Sequence, residues 1–297
     1  GVFLTAALRR ILNWCTVLYK YPEEQTVQIA VSCIHGIEKD ADLVKRTIEN
    51  LNNVMDTYGL PRQRWDIVCT DTMDAVEQYE EGFDFVVGNP PYANVHDLDA
   101  ETLDKMRRSS LCRDGMTDLY LVFFELGYRM LKPDGRLIYI TPSGWMSSVA
   151  GRGFRKFAVE SGCLDTIVHM RHHQVFENAQ VYTNITKIVK RGKTTGYGHS
   201  SIDVYEFAGE HEKFKRIECI SKDKFVLPDG TFSFENTRTI WERNRVMGYD
   251  GPRYVRVQNG FATLNDKLFV LEYKGNEELL DTGNHDFIPV VKASTGE

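Results

Sequence analysis

Apolar residues at Leu4, Leu8, Ile11, Cys15 and Leu18 recur at helical spacing and predict an amphipathic helix from about Leu4 to Tyr19. An apolar run from Val27 to Ile37 follows and closes on Gly36-Ile37-Glu38. Asp40 then stands where an N-cap belongs, ahead of a helix carrying Leu43, Ile48 and Leu51. Trp65 to Cys69 reads as a short strand that ends at Thr70-Asp71, and Phe83 to Gly88 as a buried strand. Thr117-Asp118 opens a helix bearing Leu119, Val122, Phe123, Leu126 and Met130, which the Lys132-Pro133-Asp134-Gly135 sequence stops. Arg136 to Thr141 predicts another buried strand. A helix around Gly153 to Glu160 stops at Gly162, and Leu164 to Met170 forms a strand. Val181 to Lys190 alternates as a strand does, with Tyr182, Asn184 and Thr186 against Ile185 and Ile188.

Strands alternating with helices imply an α/β fold with a largely parallel sheet, in which ligands sit beyond the carboxyl ends of the strands. Glu38, Asp71, Asn89 and Thr141 all fall at such ends. The texture changes after Gly196-Tyr197-Gly198-His199-Ser200-Ser201, where short strand-like runs replace the βα alternation. The expected organisation is one domain over 1–195, then a linker and the start of a second, β-containing domain over 196–297. The first residues look like the tail of a glycine loop and the last lack a closing element, so both ends read as cuts in a longer polypeptide.

The chemistry concentrates in Asn89-Pro90-Pro91-Tyr92. Neither proline can donate a backbone hydrogen bond, each locks its own φ, and each pushes the preceding residue toward extended geometry. The product is a stiff turn at a strand end that offers the Asn89 side-chain oxygen and the Pro90 carbonyl beside an aromatic face. Two acceptors next to a ring match a planar base whose exocyclic amine carries two N–H bonds.

Taken together, these residues resemble the gamma-class DNA adenine-N6 methyltransferases, the TaqI-like group with type I and fused type II restriction-modification kin. The resemblance runs through most of residues 1–190. It implies a Rossmann-like S-adenosylmethionine-dependent methyltransferase fold built on a mostly parallel seven-stranded sheet, with the first strand missing here. Gly1 and Phe3, in Gly1-Val2-Phe3-Leu4, match the tail of the family's cofactor loop. By the same resemblance, Glu38 accepts the ribose hydroxyls of S-adenosylmethionine, and Asp71, with Thr72 beside it, accepts its adenine amine. Asn89, Pro90, Pro91 and Tyr92 are then the catalytic motif, with Asn89 also bordering the cofactor. Tyr92 stacks on a flipped-out target base and Phe176 faces it from the other side.

The implied activity is site-specific methylation of adenine N6 in double-stranded DNA within a restriction-modification system. A specificity subunit or a fused nuclease is an implied partner of the longer protein, and the implied location is the bacterial or archaeal cytoplasm. Residues past about 200 occupy the place of a target-recognition domain, with Asn259 to Phe269 resembling its opening segment. Asn-Pro-Pro-Tyr also occurs in methyltransferases acting on RNA bases or on a protein glutamine amide, and those readings stay open. So does a non-catalytic DNA-binding module, since the partial cofactor loop leads us to expect weak cofactor binding by residues 1–297.

The remaining composition narrows the field. A net charge of −6 argues against a uniformly basic nucleic-acid coat and leaves room for local strips. Candidate phosphate contacts are Lys105, Arg107, Arg108 and Arg113, then Arg152, Arg155 and Lys156. No apolar stretch approaches the roughly 20 residues of a membrane span. The six cysteines lack a C-x-x-C pair and read as reduced core thiols. His169, His172 and His173 lack a matching ligand set, so no metal is expected.

Overall fold

The computed structural model describes residues 1–93, 95–112, 117–170, 182–192, 201–207, 214–226 and 230–232. The amphipathic start folds as α1 (Val2–Asn13), continued by one π-helical turn (Trp14–Leu18) that buries Cys15. The Val27–Ile37 run divides between α2 (Glu23–Cys33) and β1 (His35–Glu38). Then come α3 (Ala41–Thr57), β2 (Asp66–Cys69), α4 (Thr72–Ala75) and β3 (Phe83–Gly88). After the Asn-Pro-Pro-Tyr turn the chain forms α5 (Ala100–Met106), α6 (Leu119–Met130) and β4 (Leu131–Pro142). Last come α7 (Arg152–Ser161), β5 (Leu164–His169), β6 (Thr183–Val189), β7 (Ser201–Glu206), β8 (Lys215–Ser221) and α8 (Lys222–Phe225).

The α/β architecture expected from the sequence holds, but the described strands lie in two sheets. β1 and β2 form a parallel pair, and the second sheet runs β3-β4-β6-β5-β7-β8. β3 is parallel to β4 and β5 to β7, whereas β6 lies antiparallel between β4 and β5. An antiparallel neighbour needs no crossover helix. β7 and β8 continue this sheet, which therefore extends past residue 195.

The main core lies where α6 and α7 cover the β4 face. Phe124 stacks on Phe154 at 4.3 Å, and Trp145 meets Phe154 edge-on at 5.0 Å. α6 packs tightly on β4 at Gly127, where a Cβ would stand 2.3 Å from Leu137 Cδ1. A second cluster (Leu8, Leu12, Ala30, Leu51, Val54, Met55) joins α1, α2 and α3. On α3 the buried stripe includes Val44, Leu51, Val54 and Met55, and the expected core residue Leu43 faces solvent. α7 ends as its sequence predicts, with Gly162 in the left-handed region at φ 59°.

Two sequence expectations need correction here. β3 is only half buried, because it pairs with β4 alone among the described residues and leaves Phe85 65% exposed. The Arg136 guanidinium sits 5.8 Å over the Phe85 ring and shields part of it. The cysteines are all free, yet only Cys15 and Cys163 are buried; Cys33, Cys69 and Cys219 are exposed.

Candidate active site

β1 and β2 bring two carboxylates to neighbouring strand ends. Glu38 is in register with Cys69, and the Thr70 N–H donates to the Glu38 carbonyl at 3.0 Å. One Glu38 carboxylate oxygen accepts the Asp40 N–H at 3.0 Å, which orients the side chain and leaves its other oxygen open. Asp71 caps α4, its Oδ1 accepting the Met73 N–H at 2.9 Å. Its Oδ2 faces Lys39 Nζ at 3.4 Å and Lys105 Nζ at 3.6 Å. Thr72 begins α4 next to it. Gly1 lies against α3, where a Cβ would come 2.8 Å from Thr47 Oγ1, and Phe3 sits on the partly exposed first turn of α1. Oriented acceptors at two adjacent strand ends suit the hydroxyls and amine of a nucleoside.

β3 delivers the other half of the site. Its last residue, Gly88, pairs with Tyr139, after which Asn89 and Pro91 are exposed, Pro90 is buried and Tyr92 is half-buried. Tyr92 Oη donates to the Ile140 carbonyl at 3.1 Å, in the stretch of β4 that β3 no longer reaches. The Tyr92 ring meets Tyr120 of α6 edge-on, with centroids 6.4 Å apart. Burial pushes the Tyr92 hydroxyl up to about 12, so it stays a neutral donor at physiological pH. Neither the Asn89 side chain nor the Pro90 carbonyl has a hydrogen-bond partner among the described residues. Two exposed or turn-borne acceptors thus stand next to a fastened aromatic ring.

Packing ties the two halves together. Ile37 of β1, Met73 of α4, Val86 of β3 and Ala93 just after the turn all contact one apolar cluster, centred on Val76, Leu119 and Val122. α5, which follows the turn, places Lys105 Nζ 2.6 Å from Asp74 and 2.9 Å from Glu101 as well as beside Asp71. These carboxylates hold the Lys105 amine well above the usual lysine range.

That arrangement corrects the basic-residue assignments. Lys105 is not a free phosphate contact; three carboxylates engage it, and its side chain is 12% exposed. Arg155 is buried and donates to the carbonyls of Trp145, Ser148 and Gly230, so it clamps loops and cannot reach DNA. Arg107 and Arg108 remain exposed, at 3.9 and 4.0 Å from Asp104, and Lys156 lies 3.8 Å from Glu160. Thr141 also departs from expectation: it is fully buried in the core, and its hydroxyl has no partner among the described residues. Phe176, Arg113, His172, His173 and the segment 259–269 lie outside the described residues. Among the described residues no histidine, cysteine or carboxylate cluster could hold a metal ion, and no helix is long and apolar enough to cross a membrane.

Sequence reasoning missed two residues here: Lys39 and Tyr120. Lys39 was legible in principle, since it directly follows Glu38. Tyr120 hid among core apolar residues.

A mixed-sheet α/β fold with paired carboxylates and an Asn-Pro-Pro-Tyr turn beyond its strand ends defines a Rossmann-like methyltransferase. Comparison with known proteins makes this specific. The profile of the Eco57I restriction-modification methylase family matches residues 16–176. The chain belongs to that family. It is 29% identical over 240 residues to the type II restriction enzyme and methyltransferase RM.Eco57I of Escherichia coli, covering 70% of this chain and 23% of that protein. It is also 29% identical over 214 residues to the type II methyltransferase M.AccI of Acinetobacter calcoaceticus, covering 67% of this chain and 39% of the relative. The chain thus spans well under half the length of these relatives. In fold it is similar to the ATP-dependent type ISP restriction-modification enzyme LlaBIII bound to DNA, with a TM-score of 0.56 at 15% identity over 78% of this chain and 19% of that one. The type IIG restriction endonuclease BpuSI gives 0.53 at 16% identity over 86% of this chain and 34% of its own. Membership of this family brings S-adenosylmethionine as the methyl donor.

Proposed function

We propose that the protein methylates the exocyclic N6 of adenine in double-stranded DNA, at a specific site, as the modification arm of a restriction-modification system. The observation that carries this reading is the pair of acceptors at Asn89 and Pro90, unengaged among the described residues, beside a half-buried Tyr92 tied to β4. When bound, S-adenosylmethionine supplies an electrophilic methyl group on a cationic sulfur. Glu38 would hold its ribose and Asp71, with Thr72, its adenine, while Gly1 and Phe3 would border the methionine end. The open oxygen of Glu38 and the strand-end placement of Asp71 fit those tasks.

An adenine amine is a poor nucleophile because its lone pair is delocalised into the ring. If Asn89 Oδ1 and the Pro90 carbonyl accept its two N–H bonds, the nitrogen pyramidalises and its lone pair is aimed at the methyl group. The gain is positioning and charge stabilisation, with no dedicated general base. The base must leave the duplex to reach these acceptors, and the Tyr92 ring offers a stacking platform for it, with Phe176 as the second face. The sequence boundary at 195 gives way here: β7 and β8 belong to the catalytic sheet, so target recognition is assigned to residues that follow them. A fused nuclease or a specificity subunit would complete the system, and the cytoplasm is where it would act.

The test is sequencing of methylated bases in DNA from cells expressing the protein or its Asn89→Ala variant. N6-methyladenine at one recognition site is expected with the wild type. The variant should lose at least about a hundredfold in rate, the scale of removing one transition-state hydrogen-bond partner, while binding DNA. Methylation on another base, or an active Asn89→Ala protein, would refute the assignment.

A further inference from the structure

Among the described residues four aspartates stand at helix N-caps, and one of them does not cap. Asp40 accepts from the Asp42 and Leu43 N–H groups, Asp71 from Met73 and Asp99 from Thr102. Asp118 has the same extended backbone ahead of α6 (φ −67°, ψ 148°), yet its carboxylate makes no capping hydrogen bond. It also has no ion-pair partner among the described residues. An N-cap aspartate that turns away from its helix gives up a stabilising contact of the kind its three counterparts keep.

Its position says where that carboxylate is spent. The Leu119 N–H donates to the Ala93 carbonyl at 3.4 Å, so the start of α6 is tied to the residue after Tyr92. Tyr120, two residues on, lies edge-on against the Tyr92 ring and interacts electrostatically with both Asp118 and Tyr92. Among the described residues, the titratable groups on the elements around Asp118 are Tyr92 from the turn, Tyr120 from its own helix and Cys112, whose thiol meets Thr117. Burial keeps all three neutral at physiological pH. Partial burial likewise holds the Asp118 carboxyl above the usual carboxylate range. The positive end of the α6 dipole favours the ionised form. The target end of the site thus holds one carboxylate with no described cation beside it.

We propose that Asp118 is a positioning residue of the target-base pocket, whose charge acts across Tyr120 and Tyr92 to stabilise the positive charge that the base amine acquires. This rests on the adenine-methylation reading above. As the N–CH3 bond forms and the S–CH3 bond breaks, the sulfur keeps the bonding electron pair and the positive charge passes to the amine nitrogen. That nitrogen then releases one N–H proton to water. A pre-placed anion lowers the energy of the charged stage without reorganising. A local rule broken at this spot, with a cost in stability, is the pattern expected of a functional residue.

The test compares wild type, Asp118→Asn and Asp118→Glu in three assays. These are single-turnover methyl transfer, 2-aminopurine fluorescence as a report of base extrusion, and thermal unfolding across pH. Asn caps helices as well as Asp, so a merely structural role predicts an unchanged rate. The expected result is a rate about tenfold lower in Asp118→Asn, the scale of one partly screened unit charge, with extrusion unchanged and partial retention in Asp118→Glu. The folded protein favours the protonated Asp118, so its charge costs stability once pH rises through the raised folded value. Asp118→Asn should therefore melt no lower than wild type at neutral pH, and any advantage should vanish on acidification. A wild-type rate in Asp118→Asn, or a fall in rate matched by a fall in melting temperature, overturns the proposal. A wild-type protein that methylates no adenine overturns the underlying reading and this inference with it.

Discussion

The two ends of the site are built on opposite electrostatic plans. At the cofactor end Asp71 is paired with Lys39 and Lys105, while Glu38 accepts a backbone N–H. At the target end Asn89, Tyr92, Tyr120 and Asp118 include no described cation. The contrast follows from what each must hold. Ribose hydroxyls and an adenine amine carry no net charge, so the acceptors that receive them can be neutralised in advance and merely oriented. A reacting amine becomes positive, and cations beside it would oppose the reaction. On the proposed reading, pairing of Asp71 with lysines serves binding, and the lack of a described cation near the turn serves rate.

Four substitutions at three residues probe that division, besides those at Asn89 and Asp118. Tyr92→Ala should act hardest. It removes a stacking platform worth roughly 1–3 kcal/mol per base, so base extrusion and methylation should both fall, and an unchanged 2-aminopurine signal would count against the platform. Tyr92→Phe keeps the ring and loses only the bond to Ile140, about 1 kcal/mol, so it separates stacking from tethering. Asp71→Asn comes next: the cofactor dissociation constant measured by calorimetry should rise about tenfold while DNA binding holds, as expected for loss of a charge-assisted acceptor. Equal loss of cofactor and DNA affinity would erase the distinction between the two ends. Lys105→Met should have the smallest effect, up to about fivefold on cofactor affinity, because an ion pair near the surface contributes little. A larger effect on methylation rate than on cofactor binding would mean that α5 transmits strain to the turn.

Much of this was readable from the residues alone. Periodicity located α3, α6 and β4, and the proline pair marked the turn, because those signals are local: a cap, a stop sequence, a ring-locked φ. The fates of Lys105 and Arg155 were not local. Each is an exposed-looking basic residue in the sequence, and only folding brings Asp71 and Asp74 to one and three loop carbonyls to the other. Asp118 was hidden for a different reason. Its sequence context matches that of Asp40, and the two part company only in where the carboxylate turns. The sheet was misjudged where pairing partners decide burial, as at Phe85, whose strand pattern says core and whose edge says solvent.

The hydroxyl of Tyr92 spliced onto the backbone of β4 carries a mechanical consequence. It makes the ring an anvil rather than a gate: the sheet bears it, and it has little freedom to swing aside for an incoming nucleotide. On the proposed reading, the travel required for reaction would fall on the DNA strand, which would bring its base to a stationary surface.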